Sequence, residues 1–185
     1  MNQGELAILD FIAEHLRCGF LDFLMPKITL LGDAGIFWII LALVLLIPKR
    51  TRKTGLMMAV ALTLGLLVCN ITIKPLVARI RPYDVKGIAP YLAEIQKDFS
   101  FPSGHTTASF EGATVIACRH RKWGIPACIL AALIAFSRMY LYVHYPTDIL
   151  VGLILGVAFG LLGVYIVNKI DAYIKKRKSE NKASV

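Results

Sequence analysis

The sequence predicts an all-α fold, a polytopic membrane helix bundle of five spans with an N-terminal amphipathic helix that can also be read as a sixth span. Three observations predict it. Of 185 residues 57% are hydrophobic, with a mean hydropathy of +0.64, above the roughly 45–50% of soluble domains. Apolar runs of membrane length recur along the chain. Basic residues gather in segments that alternate with the other polar stretches, as the positive-inside rule requires. The runs follow one another without a soluble-sized gap, so residues 1–185 form one domain.

Residues 5–24 come first. Leu6, Leu9, Ile12, Ala13 and Leu16 recur at helical spacing, while Glu5, Asp10, Glu14 and Arg17 take the other positions. That pattern suits a helix lying in the membrane interface; a sixth, tilted span would bury several charges. The same acidic residues, with no basic n-region and no small-residue cleavage site, argue against a signal peptide. Residues 36–47 are 12 unbroken apolar residues, extendable toward Ile28 with Asp33 near an interface. Residues 55–73 are 19 residues without a charge, and residues 149–167 are also uncharged. Residues 123–136 are uncharged and continue through Tyr142. Residues 106–118 are short and carry Glu111, which a span tolerates only when pressed inside a bundle. Cys18, Cys69, Cys118 and Cys128 have neither metal nor redox spacing and read as packing residues.

The loop after the first span holds Lys49, Arg50, Arg52 and Lys53. The loop between the third and fourth holds Arg119, Arg121 and Lys122. The tail holds Lys169, Lys175, Lys176, Arg177, Lys178 and Lys182. With five spans all three lie on one side, the cytoplasm. The excess of 21 Lys+Arg over 12 Asp+Glu therefore reads as a topology signal, with no nucleic-acid partner. Loops 74–101 and 138–145 then face outward from the cell membrane.

Those outward loops contain or border three polar strings: Lys74 to Arg81-Pro82, Pro102-Ser103-Gly104-His105, and Ser137-Arg138 followed by His144 and Asp148. Each carries a helix-terminus signal. Arg81-Pro82 is expected to close the second span. Pro102 fits the first helical position of the third, and Pro146 that of the fifth, with Asp148 in its first turn. A helix start presents unpaired N–H groups to an anion, and Gly104 allows close approach. The Ser103 hydroxyl adds a donor, and Lys74, Arg81 and Arg138 add fixed positive charge. A cradle of this kind stabilises a phosphoryl group in transit without a metal. His144, with a carboxylate four residues later, reads as a nucleophile held by Asp148. His105 reads as the acid that protonates the leaving oxygen and then activates water. The two roles are exchangeable in principle, but only His144 has an in-sequence carboxylate partner.

The strings resemble the three-part signature of the type 2 phosphatidic acid phosphatase family, K-x6-R-P, P-S-G-H and S-R-x5-H-x3-D. Every signature position is matched: Lys74, Arg81, Pro82; Pro102, Ser103, Gly104, His105; Ser137, Arg138, His144, Asp148. The resemblance implies dephosphorylation of a lipid phosphate through a phosphohistidine, with no cofactor and no metal, His144 as nucleophile and His105 as acid. Undecaprenyl diphosphate and phosphatidylglycerol phosphate are the favoured substrates, with phosphatidic acid a third; membrane lipids are the other expected partners. Two competing readings are a vanadium-dependent haloperoxidase, tested by halide oxidation with added vanadate, and a non-enzymatic anion transporter, whose flux would survive loss of both histidines.

Each string has an ordinary explanation alone: a helix stop with an interfacial arginine, a snorkelling lysine, a turn into a helix, an interfacial His–Asp pair. Their order and common side favour a site. Glu111 is a functional candidate as an intramembrane carboxylate, but a bond to Thr107, Thr114 or a neighbouring helix is the favoured reading, and Asn70 is read as helping helix packing rather than touching substrate. Gly152, Gly156 and Gly160 read as a close helix contact, or alternatively as a homo-oligomer interface. The basic run 175–178 reads as a topology anchor with affinity for anionic lipid. His15 and His120 carry no assigned role.

Overall fold

The computed structural model describes residues 3–183, and among them every regular element is helical. The stretch 5–24, expected as one amphipathic helix, is divided. α1 (Gln3–His15) ends before extended Cys18, and α2 (Gly19–Leu30) starts a new axis beyond it. α1 buries Leu9 and Ile12 but also Glu5, and leaves Ile8 and Phe11, with Leu16 just beyond it, exposed, so its apolar and charged residues do not separate onto the two faces that the spacing predicts.

α2 belongs instead with α3 (Ile36–Leu46), which follows it at an angle of 42°. The break is a 3₁₀ turn, Asp33–Gly35, where Ala34 and Gly35 have φ of 48° and 67°. Such left-handed residues end a helix and re-aim the chain. Asp33 therefore sits at the break of a bent helix pair.

α4 (Arg52–Gly65) runs through a π-helical segment, Leu66–Ile73, into α5 (Lys74–Val77). The helix stops at Ala78, in the left-handed region with φ 47°, before the Arg81-Pro82 expected to end it. Pro82 instead opens the short α6 (Pro82–Lys86). Residues 78–81 are thus free of the helix, and Arg79 and Arg81 reach different partners from it. The π segment, wider than an α-helix, resets the facing of α5, and Lys74 emerges buried against the bundle.

α7 (Gly104–Arg119) has 16 residues, short of the roughly 20 a membrane crossing needs. It packs against α4, α8 (Arg121–Tyr140) and α9 (Pro146–Ala183). Its polar content reflects that position: Thr106, Thr107, Ser109 and Glu111 are all buried against protein. Gly152, Gly156 and Gly160 of α9 face it. A Cβ on Gly156 would lie 2.6 Å from the Thr107 carbonyl oxygen, so the glycines let two backbones meet within the chain. Among the described residues three stretches, Arg52–Lys86, Arg121–Tyr140 and Pro146–Asn181, are long and apolar enough to cross a membrane, and the bent α2–α3 pair adds a fourth if it forms a single span.

Two apolar clusters hold the bundle. One centres on Trp38, Met57, Met58, Ala113 and Ala131; the other on Leu9, Met25, Tyr83, Tyr140 and Tyr142. Trp38 donates to Ser109 Oγ at 3.1 Å, satisfying the indole N–H where water is absent.

Candidate active site

A cavity of about 720 Å³ opens beside the start of α7, and Lys74, Arg81, Gly104, His105, Arg138 and His144 line it together. Three helix ends bring them there. α5 presents Lys74, the N-terminus of α7 presents Gly104 and His105, and the α8–α9 turn presents His144. That turn is closed by Val143 and His144 N–H groups, both donating to the Arg138 carbonyl, with Tyr142 at φ 62°. Pro146 opens α9, where the sequence put it.

His144 is 1% exposed. Its Nδ1 lies 3.4 Å from Asp148 Oδ2 and 3.4 Å from Ser100 Oγ, and its Nε2 is 3.3 Å from Arg81 Nη1. A guanidinium only donates, so Nε2 must offer its lone pair and Nδ1 carries the proton toward Asp148. Burial, then the charges of Arg81 and Arg138, outweigh Asp148 and hold this imidazole well below its ordinary range. The ring is therefore neutral near pH 7, with a lone pair facing the cationic side of the cavity.

Asp148 is wholly buried and outside the cavity wall. It accepts from the Ser100 hydroxyl, from the Tyr145 N–H at 2.9 Å and from Arg79. Arg79 also donates a hydrogen bond to Thr147 at 2.7 Å, pairs with Glu5 of α1, and stacks 3.9 Å from the Tyr145 ring centroid. Neither Arg79, Ser100 nor Glu5 is part of the signature. Arg79 lies inside its K-x6-R-P spacing and Ser100 just ahead of Pro102, and those neighbourhoods were the available signals.

His105 points across the α2–α3 break, its Nε2 2.7 Å from Asp33 Oδ1. Gly32 makes that approach possible, because a Cβ there would sit 2.7 Å from His105 Cδ2. Asp33 thus orients the second histidine, a role that its expected place near an interface concealed.

The three cations of the signature are differently engaged. Lys74 Nζ and Arg81 Nη2 each hold one carboxylate oxygen of Asp98, and Arg81 Nε donates to the Asp98 carbonyl at 2.9 Å. Partial burial would raise the Asp98 pKa, but Lys74 and then Arg81 outweigh it and pull it down to about 2. Arg138 gives Nη1 to Thr29 Oγ1 at 2.7 Å, while its Nε and Nη2 are buried without a partner among the described residues. An unmet buried donor costs about 1–3 kcal/mol, more when charged, so these two N–H groups mark a place for an anion. Ser103 is placed otherwise than expected. It is the residue before α7, not inside its first turn; its Oγ accepts from Thr106 N–H at 3.4 Å and Thr106 Oγ1 at 3.0 Å, capping the helix outside the cavity wall. Gly104 brings Asn70 near: its Cβ would lie 3.1 Å from Asn70 Oδ1. Asn70 lines the cavity, beyond the packing role expected of it.

Comparison with known proteins gives a consistent answer. The model of the PAP2 superfamily matches residues 53–172. An undecaprenyl-diphosphatase of Sulfolobus acidocaldarius is 32% identical over 144 residues, covering 75% of this chain and 69% of its own. Phosphatidylglycerophosphatase B of Bacillus subtilis is 34% identical over 169 residues, covering 85% of this chain and 72% of its own. The crystal structure of Aquifex aeolicus LpxE superimposes with a TM-score of 0.76 at 25% identity, over 86% of this chain and 94% of that one.

Proposed function

The chain belongs to the PAP2 superfamily, and on that premise we propose that it hydrolyses a membrane lipid phosphate or diphosphate through a phosphohistidine on His144, without a metal, at the outer face of the cell membrane. The observation that carries the reading is the pairing of a buried, Asp148-braced imidazole with the open Nε and Nη2 donors of Arg138 in one cavity wall.

In this mechanism His144 Nε2 attacks the terminal phosphorus, and the phosphorus–oxygen bond to the leaving group, an ester bond in a monophosphate or an anhydride bond in a diphosphate, breaks as the phosphorus–nitrogen bond forms. Lys74, Arg81, Arg138 and the N–H groups opening α7 take up the charge on the phosphoryl oxygens. His105, oriented by Asp33, gives its proton to the departing oxygen. It then takes one from water, which attacks phosphorus, releases inorganic phosphate and returns His144 to its starting state. Three fixed cations supply the positive charge that a metal ion would otherwise provide, which supports the metal-independent form of the reaction. With α7 taken as a fifth crossing enclosed by the others, the positive-inside rule favours 49–53, 119–122 and the basic tail on the cytoplasmic side and the cavity outside. Undecaprenyl diphosphate and phosphatidylglycerol phosphate fit this face as substrates.

Purified protein in detergent with chelator present is expected to release phosphate from a panel of these lipids and phosphatidic acid. If a His144→Ala protein released as much as the wild type, the proposal would fail.

Asp98 adds a second expectation. Its carboxylate occupies the two cations that receive phosphate, so an incoming anion must displace it. A site competent for only a fraction of the time binds more weakly by that fraction. Asp98→Asn is therefore expected to tighten inhibition by inorganic phosphate roughly three- to tenfold. With its pKa near 2, Asp98 stays ionised across the working range, so mild acidification does not reproduce the effect. An unchanged inhibition constant would mean the carboxylate leaves the cradle at no cost.

A further inference from the structure

The cavity continues below the phosphate cradle toward the membrane interior, between α3 and α4, where Ile39, Leu43, Leu62 and Leu66 line it. Thr63 and Thr107 also line this part of the cavity, but their hydroxyls donate to the Ala59 and Ser103 carbonyls; Glu111 is the carboxyl among them. Glu111 is 1% exposed, lines the cavity, and has a buried Oε1 with no hydrogen-bond partner among the described residues, neither Thr107, Thr114 nor another helix. Gly65 opposite gives it room: a Cβ there would meet the carboxyl group. An unpaired carboxyl at this depth is costly, and nothing in the phosphoryl chemistry uses it.

Its depth says what it meets. Glu111 is seven residues after Gly104, about 10 Å along the axis of α7, and its side chain leans back toward the helix start. A lipid whose terminal phosphate lies in the cradle therefore passes Glu111 within about ten ångströms of the phosphorus. In a polyprenyl diphosphate that part of the molecule is already hydrocarbon, and the carboxyl would stay unsatisfied. In a lipid phosphate built on glycerol or a sugar, hydroxyl, ester or amide groups continue through this level and can exchange hydrogen bonds with it.

The geometry points to Glu111 as a specificity-determining residue that favours lipid phosphates carried on a glycerol or sugar linker over polyprenyl diphosphates. This rests on the phosphatase reading and sharpens its substrate class.

The test compares full-length wild type, Glu111→Gln and Glu111→Leu in detergent. kcat/KM is measured for phosphatidylglycerol phosphate and for undecaprenyl diphosphate, each normalised to hydrolysis of 4-nitrophenyl phosphate by the same protein, which corrects for misfolded material. The wild type is expected to prefer the glycerolipid, Glu111→Leu to lower that preference about tenfold, and Glu111→Gln to keep most of it. An unaltered preference, or equal losses on both lipids, overturns the assignment while leaving the phosphatase standing. Absence of phosphate release from every substrate by the wild type removes the phosphatase reading itself.

Discussion

Replacing His144 by alanine is expected to lower phosphate release by on the order of 10⁴-fold or more, the loss expected on removal of a covalent nucleophile. Replacing His105 is expected to do something different in kind. Without an acid, an alkoxide leaving group such as the glycerol oxygen of phosphatidylglycerol phosphate departs slowly, but an aryl phosphate, or a diphosphate that releases a phosphate monoester, is far less affected because its oxygen leaves unprotonated. The second half-reaction still needs a base to activate water. A His105→Ala protein given 4-nitrophenyl phosphate is thus expected to form phosphoenzyme and fail to clear it. The check is retention of radiolabel from the substrate after rapid acid-free denaturation in alkali, where a phosphoramidate survives and a phosphoester of serine is lost by elimination. Label should accumulate on His105→Ala and be absent from His144→Ala. The reverse pattern would exchange the two roles. Absence of label from both would remove the covalent route and leave direct attack by water.

The signature residues were legible because each sits at a helix end that the sequence marks locally. Pro146 opens α9, and the i, i+4 spacing of His144 and Asp148 brings imidazole and carboxylate to 3.4 Å. Glycines 152, 156 and 160 share one face by simple periodicity. Other features depended on contacts remote in sequence. Asp33 meets His105 across 72 positions and Arg79 meets Asp148 across 69; no local pattern encodes such pairs. The break between α2 and α3 was hidden because Ala34, with φ 48°, is a residue that ordinarily propagates a helix. The end of the second span was misplaced for the same reason: Ala78, at φ 47°, stops it, and the more conspicuous proline starts something new. Ser103 carried two valid local meanings, phosphate donor and helix cap, and its Oγ accepts from Thr106 as a cap does.

Arg79 is expected to be the most consequential residue outside the signature. Its fork holds Asp148 with one nitrogen and Glu5 with the other, at side-chain exposures of 23% for Arg79, 0% for Asp148 and 9% for Glu5. Removing one member of such a buried set strands the remaining charges, at about 3–5 kcal/mol. Arg79→Ala should therefore unfold at a lower temperature. It should also lower kcat, because Asp148 loses the partner that fixes its orientation toward His144. Arg79 lines no part of the cavity, so KM should move little. A purely structural role predicts a smaller folded fraction with normal turnover per intact site. Titrating active sites by the phosphoenzyme burst separates the two, with turnover per site expected to drop on the order of 10²-fold. Arg79→Lys keeps the charge without the fork, cannot reach both carboxylates in one geometry, and should recover stability better than turnover. Pairing Arg79→Ala with Glu5→Ala then tests how α1 is tied to the chemistry. Two residues in one network should show non-additive losses of about 0.5–3 kcal/mol. Additive losses would show α1 to be an independent cover, and the brace on Asp148 to be Arg79, Ser100 and the Tyr145 N–H alone.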